Sequence, residues 1–99
     1  MDIESSPKRC IIRSVEISSR AFKELEYIPK HIISKLKAWR ESIEQDGLLK
    51  TRNTRGYSDE ALKGKRKGQR SVRLNKAYRV IYTIKENHIV IEEVNKHDY

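Results

Sequence analysis

SVRLNKAYRVIYTI, residues 71–84, alternates on either side of a short polar break. Val72 and Leu74 share one side of the first arm; Val80, Tyr82 and Ile84 share one side of the second. Alternation of this kind marks half-buried strands, and Asn75, Lys76 and Ala77 provide a hairpin connection. Ile89 to Val94 reads as a further strand after a turn over Lys85 to His88. Its alternation breaks at Glu92-Glu93, which predicts a bulge or an edge there. If Leu74 pairs with Tyr78, Arg73 falls directly opposite Arg79, on the face away from Val72 and Val80. Like charges so placed destabilise a sheet by about 1 kcal/mol or less. Either both side chains reach water, with Glu92 nearby, or an anion sits between them. Phosphate is the natural candidate, because guanidinium grips it through two parallel hydrogen bonds.

Upstream of the hairpin the pattern changes. Arg9 to Ser18, with Ile11, Ile12, Val15 and Ile17, predicts a strand. Ser18 or Ser19 offers a helix N-cap, and Ala21, Phe22 and Leu25 would share the inner side of a short helix. Pro29 suits the first turn of a second helix, in which Ile32, Ile33, Leu36, Trp39 and Ile43 follow helical spacing. Gly47 is a natural stop past its end. Phe22 and Trp39 read as core aromatics. Leu48 to Gly68 has weak periodicity and predicts a long loop, a feature that is often functional in so small a domain. The order β-α-α-β-β-β predicts an α+β fold: an antiparallel sheet of about four strands with two N-terminal helices packed on one face. Residues 1–99 read as one domain, with 1–8 a flexible arm.

Charge concentrates in the same region. The chain carries 22 Lys and Arg against 14 Asp and Glu, a formal +8. Eleven of the cations but only two acids, Asp59 and Glu60, lie between Lys50 and Arg79, so this segment holds +9 and the rest sums to −1. Such a footprint points to a polyanionic or acidic partner rather than to a merely solubilising surface. One cysteine, Cys10, excludes an internal disulfide and reads as a small buried apolar residue. No apolar run reaches the roughly 18 residues of a membrane span, and the first nine residues lack a signal-peptide apolar region; a soluble, cytoplasmic protein is expected. The three histidines are far apart and no paired-cysteine or HExxH spacing exists, so neither a metal nor another cofactor is expected. The string GKRKG lacks the spacing of a phosphate-binding P-loop.

Glu60-Ala61-Leu62-Lys63-Gly64, Arg66, and Gly68-Gln69-Arg70-Ser71-Val72-Arg73-Leu74-Asn75 closely resemble the HigB "killer" toxins of the RelE/ParE superfamily. Tyr78-Arg79-Val80-Ile81-Tyr82 and the ending His97-Asp98-Tyr99 continue the resemblance in order over about the last forty residues. It implies a RelE-like, microbial-ribonuclease-like domain that cleaves messenger RNA, commonly on the ribosome, and is neutralised by a cognate antitoxin. The family's phosphate-binding arginine falls on Arg79, its loop lysine on Lys63 and its C-terminal tyrosine on Tyr99. Where some HigB-like toxins have histidine, this chain has Glu60, similar to the glutamate of the YoeB-like branch; whether it acts as base or as a charge partner stays open.

Metal-free RNA cleavage by the ribose 2′-oxygen needs a base, a carrier for the charge of the phosphorane and an acid for the departing 5′-oxygen. Glu60 is the candidate base. Lys63 and Arg79 are candidates for the phosphorane. His97, by intrinsic pKa, and Tyr99, by position, are alternatives for the acid. Arg66, Lys67, Arg70 and Arg73 form the candidate RNA-binding set. His31 and His88 read as surface residues. A ParE-like DNA gyrase inhibitor without nuclease activity is the alternative that shares the fold, and a plain RNA-binding module is a third.

Overall fold

The computed structural model describes residues 11–96. Residues 1–8, expected as an arm, and Cys10, His97 and Tyr99 lie outside the described residues. Five strands form one sheet in the order β1-β5-β4-β3-β2. In chain order the elements are β1 (Ser14–Ile17), α1 (Ser19–Glu24), α2 (Lys30–Asp46), α3 (Leu48–Arg52), β2 (Glu60–Ala61), β3 (Gln69–Arg73), β4 (Tyr78–Lys85) and β5 (His88–Lys96). The α+β expectation holds, with two corrections. The sheet has five strands rather than four, and β1 runs parallel to β5, pairing Val15 with Ile89 and Ile17 with Ile91. All other pairings are antiparallel.

The hairpin forms in the expected register. Leu74 N–H donates to the Tyr78 carbonyl at 2.9 Å, and Arg73 pairs with Arg79. The Asn75 side-chain oxygen accepts from the Ala77 and Tyr78 amides, both at 2.8 Å. This is the local turn chemistry that suits Asn here.

On one face Val72, Val80, Tyr82, Ile89, Ile91 and Val94 are buried beneath α2, which contributes Ile32, Leu36, Trp39 and Ile43. The Trp39 and Tyr82 rings sit 5.4 Å apart at a tilt of 52°, a favourable aromatic arrangement. The break at Glu92-Glu93 is a bulge: Ile81 pairs with Glu93 and Tyr82 with Ile91, so Glu92 is the extra residue. That insertion keeps both Ile91 and Val94 in the core.

Ser18 caps α1, accepting the Ala21 amide at 3.0 Å. The helix takes over the edge of β5 where β1 ends: the Ser18 hydroxyl donates to the Glu92 carbonyl, and Glu24 accepts the Val94 amide at 2.8 Å. With six residues, α1 buries only Ala21; Phe22, expected in the core, is 65% exposed. Gly47 ends α2 at φ +89°, and a Cβ there would collide with Ile11. The expected loop at 48–68 is broken up by α3, by 3-10 turns at Arg55–Tyr57 and Gly64–Arg66, and by β2. Leu48 and Thr51 anchor α3, with the Thr51 and Ser42 hydroxyls 2.7 Å apart.

Candidate functional site

The helix-free face of the sheet carries the charged residues, and register fixes their layout. One row runs Glu60, Ser71, Ile81, Glu93 across β2, β3, β4 and β5. The next runs Arg73, Arg79, Asn95. Glu60 and Arg79 therefore share a face, two strands apart and one row offset. Sheet geometry puts their Cα atoms about 10 Å apart across the strands and about 7 Å along them. That gap is too wide for a direct ion pair between backbones so placed, and it suits two long side chains converging on a third group. Arg73 stands next to both and is exposed.

Lys63 follows β2 in extended conformation, immediately before the Gly64–Arg66 turn. The turn is tied back to the sheet: the Leu62 amide donates to the Gln69 carbonyl at 2.9 Å. Arg66 makes the main tether. From this turn it reaches Glu93 on β5, with Nη1 to Oε2 at 2.9 Å and Nη2 to Oε1 at 3.4 Å, and it also donates to Gln69 at 3.0 Å. Glu93 is buried, accepts from Asn95 at 3.0 Å, and faces Arg20 of α1 at 3.5 Å. The hydrogen bond from Arg66, reinforced by the charges of Arg66 and Arg20, overcomes burial and holds the Glu93 carboxyl below the usual carboxylate range. Under this bridge Ser71 and Ile81 are buried, although they lie on the helix-free face. The Ser71 hydroxyl has no hydrogen-bond partner.

Arg70 belongs to the other face. It pairs with Tyr82 in register, and its Nε donates to Asp59 at 2.6 Å. The Tyr82 hydroxyl donates to the second Asp59 oxygen, also at 2.6 Å. Burial, with the Asp59 hydrogen bond and charge, raises the Tyr82 phenol, so it stays protonated as a donor. The Asp59 side chain is 1% exposed. The two acids of the basic segment thus divide: Asp59 is locked under the sheet edge, and its neighbour Glu60 is left exposed on the opposite side.

Of the residues singled out from the sequence, Glu60, Arg73 and Arg79 come together on one face, with Lys63 on the adjoining loop. Arg66 is on that face but engaged with Glu93, and Lys67 is exposed beside it. Arg70, expected to bind RNA, does not join them on that face, because strand parity turns it toward Asp59. Sequence reading missed Glu93 and Asp59 as organising carboxylates; the broken alternation at Glu92-Glu93 was the one available signal. Among the described residues no group of three or more His, Cys, Asp or Glu is placed to hold a metal ion, and no helix is long and apolar enough to cross a membrane.

The sheet with α2 laid on one side matches the RelE-like toxin fold of solved YafQ and YoeB structures. YafQ from E. coli strain BL21(DE3) superposes with a TM-score of 0.71 at 21% identity, over 86% of this chain and 93% of that one. The YoeB dimer from Staphylococcus aureus superposes at 0.65 with 29% identity, over 87% and 97%. YoeB in the YoeB-YefM complex of the same organism gives 0.67 at 28% identity, over 86% and 97%. No protein-family model and no curated protein sequence matches the chain.

Proposed function

We propose that this chain is the toxin of a toxin–antitoxin pair and cleaves messenger RNA, on the ribosome, without a metal. The carrying observation is the placement of Glu60 and the Arg73–Arg79 pair on one open sheet face. Two guanidinium groups held side by side are destabilising alone and favourable around a phosphate. The toxin role draws support from neighbours solved as toxin–antitoxin complexes, YoeB-YefM and DinJ-YafQ. The HigB-like motif in the C-terminal half supports the same reading and implies a cognate antitoxin.

In this mechanism the ribose 2′-oxygen attacks the adjacent phosphorus while Glu60 takes its proton. Arg79, Arg73 and Lys63 stabilise the charge that accumulates on the phosphorane. His97 or Tyr99 protonates the departing 5′-oxygen. Arg66, through Glu93, fixes the loop that carries Lys63, and Lys67 meets the RNA backbone. A gyrase inhibitor on the same fold would have no use for a carboxylate facing two arginines, which favours the nuclease.

The test is RNA cleavage by the purified chain and its variants. Arg79→Ala is expected to lower the cleavage rate about 100- to 1,000-fold, as for loss of one preorganised contact to a transition-state anion, and Tyr99→Ala to lower it as well. If neither reduces cleavage, or if the chain blocks DNA supercoiling and cuts no RNA, the reading fails.

A further inference from the structure

A cavity lies beyond the rim of the sheet, next to Arg73. Its volume is about 330 Å³, and it is walled by α2, by the segment after α3 and by the end of β3. Lys35 and Arg73 bring two cations to it, Thr54 a hydroxyl and Tyr57 a phenol, while Ala38 and Leu74 are apolar walls. None of the residues lining it is acidic. Neither Lys35 nor Arg73 has a hydrogen-bond or ion-pair partner among the described residues. Two unneutralised cations over a partly apolar cleft form an anion site with a place for a flat ring. The volume sits at the low end for small-ligand pockets, roughly 300 to 1,000 Å³, which is the scale of one nucleotide.

We propose that this cleft is a nucleotide subsite, taking the residue of single-stranded RNA that flanks the phosphate held at Arg79. Its phosphate lies between Lys35 and Arg73, and its base stacks on Tyr57 against Ala38 and Leu74, as bases do on aromatic side chains in single-strand sites. Continuity with the sheet face is built in. Arg73 lines the cleft and is also the direct cross-strand neighbour of Arg79, with Cβ atoms about 5 Å apart. One strand can therefore pass from the reacting phosphate over Arg73 into the cleft. The inference rests on the RNA reading above and adds which part of the chain selects the neighbouring nucleotide.

Gly56 also lines the cleft, and a Cβ built there meets nothing within 4 Å. Gly56→Leu therefore fills the space without disturbing the fold, whereas Lys35→Glu reverses a charge. The experiment is an amide NMR titration of the full-length chain with uridine and adenosine 3′-monophosphates, beside inorganic phosphate and a glutamate-rich peptide. The nucleotides are expected to shift amides around Lys35, Thr54, Tyr57 and Leu74. Lys35→Glu should weaken them about tenfold, Tyr57→Ala about five- to hundredfold, and Gly56→Leu should abolish the shifts. Shifts that map elsewhere, that survive Gly56→Leu, or that phosphate alone or the peptide alone reproduces would overturn the proposal. RNA cleavage by the unmodified chain is scored separately. Nucleotide binding in the cleft without cleavage defeats the nuclease reading and keeps the subsite; cleavage with a silent cleft does the reverse.

Discussion

The two faces of the sheet are built from alternate residues of the same strands, yet they do opposite work. Under α2, Val72, Val80 and Tyr82 are fully buried. One residue away along β3 and β4, Arg73 and Arg79 stand on the open side. The contrast is sharpest among the arginines. Arg70 and Arg73 are three positions apart in one strand, so parity sends the first to a buried carboxylate and the second toward the open face. Arg66 shares the open side with Arg73, but its partner Glu93 has already claimed it. Charge density in the sequence therefore reports neither which cation binds a ligand nor which one holds the fold; parity and partner decide.

Four measurements test this division, in descending order of expected effect. Trp39→Ala removes the largest fully buried side chain, packed on Tyr82, and is expected to lower unfolding free energy by about 3–5 kcal/mol in urea titration. Asp59→Ala leaves the Arg70 guanidinium and the Tyr82 hydroxyl without their shared acceptor. It is expected to destabilise by about 1–3 kcal/mol and to reduce cleavage only through Glu60 next to it; an unchanged melting temperature would contradict the structural role.

The third measurement is pH dependence. The folded pKa of Glu93 is depressed by Arg66, so its stabilisation is complete above the unfolded carboxylate value of about 4.3. It is lost as pH falls through the lower folded value. Melting temperature should drop from pH 5 to pH 3, and less so in Glu93→Gln. The difference is expected to stay within a few tenths to 1 kcal/mol because Arg66 is half exposed and screened. The smallest effect belongs to Arg73→Gln, which relieves like-charge crowding at Arg79 and should raise stability by about 0.2–1 kcal/mol while weakening RNA binding. A loss of stability on this substitution would show that the pair is not repulsive in the free protein.

The hairpin was legible because its information is local: alternation in both arms, and an Asn whose side chain closes the turn. Helix α2 was legible from spacing and from Gly47 at its end. The parallel β1–β5 pairing was not, because it joins the two extremes of the chain and no short-range pattern encodes strand direction. Phe22 misled because six helical residues leave room for one inward side chain, and Ala21 takes that place. The short helix α3 and the turn at Gly64–Arg66 escaped notice because they are held by single anchors rather than by a repeating face. Of the candidate site, the pairing of Arg73 with Arg79 was legible from the hairpin register. The engagement of Arg66 and Arg70 was not legible, because their carboxylate partners, Glu93 and Asp59, are distant in sequence or hidden by parity.

The bulge at Glu92 works as a phase shift. Upstream of it, odd-numbered positions of β5 face the helices; downstream, Val94 shows that even-numbered ones do. A single deletion at position 92 would remove only the extra residue: Ile81 would still meet Glu93 and Val80 would still meet Val94, now in unbroken alternation. Val94 would keep its place in the core and Arg66 its anchor on Glu93. The strand is thus one residue longer than its alternation requires, a surplus that substitution scanning alone would never reveal.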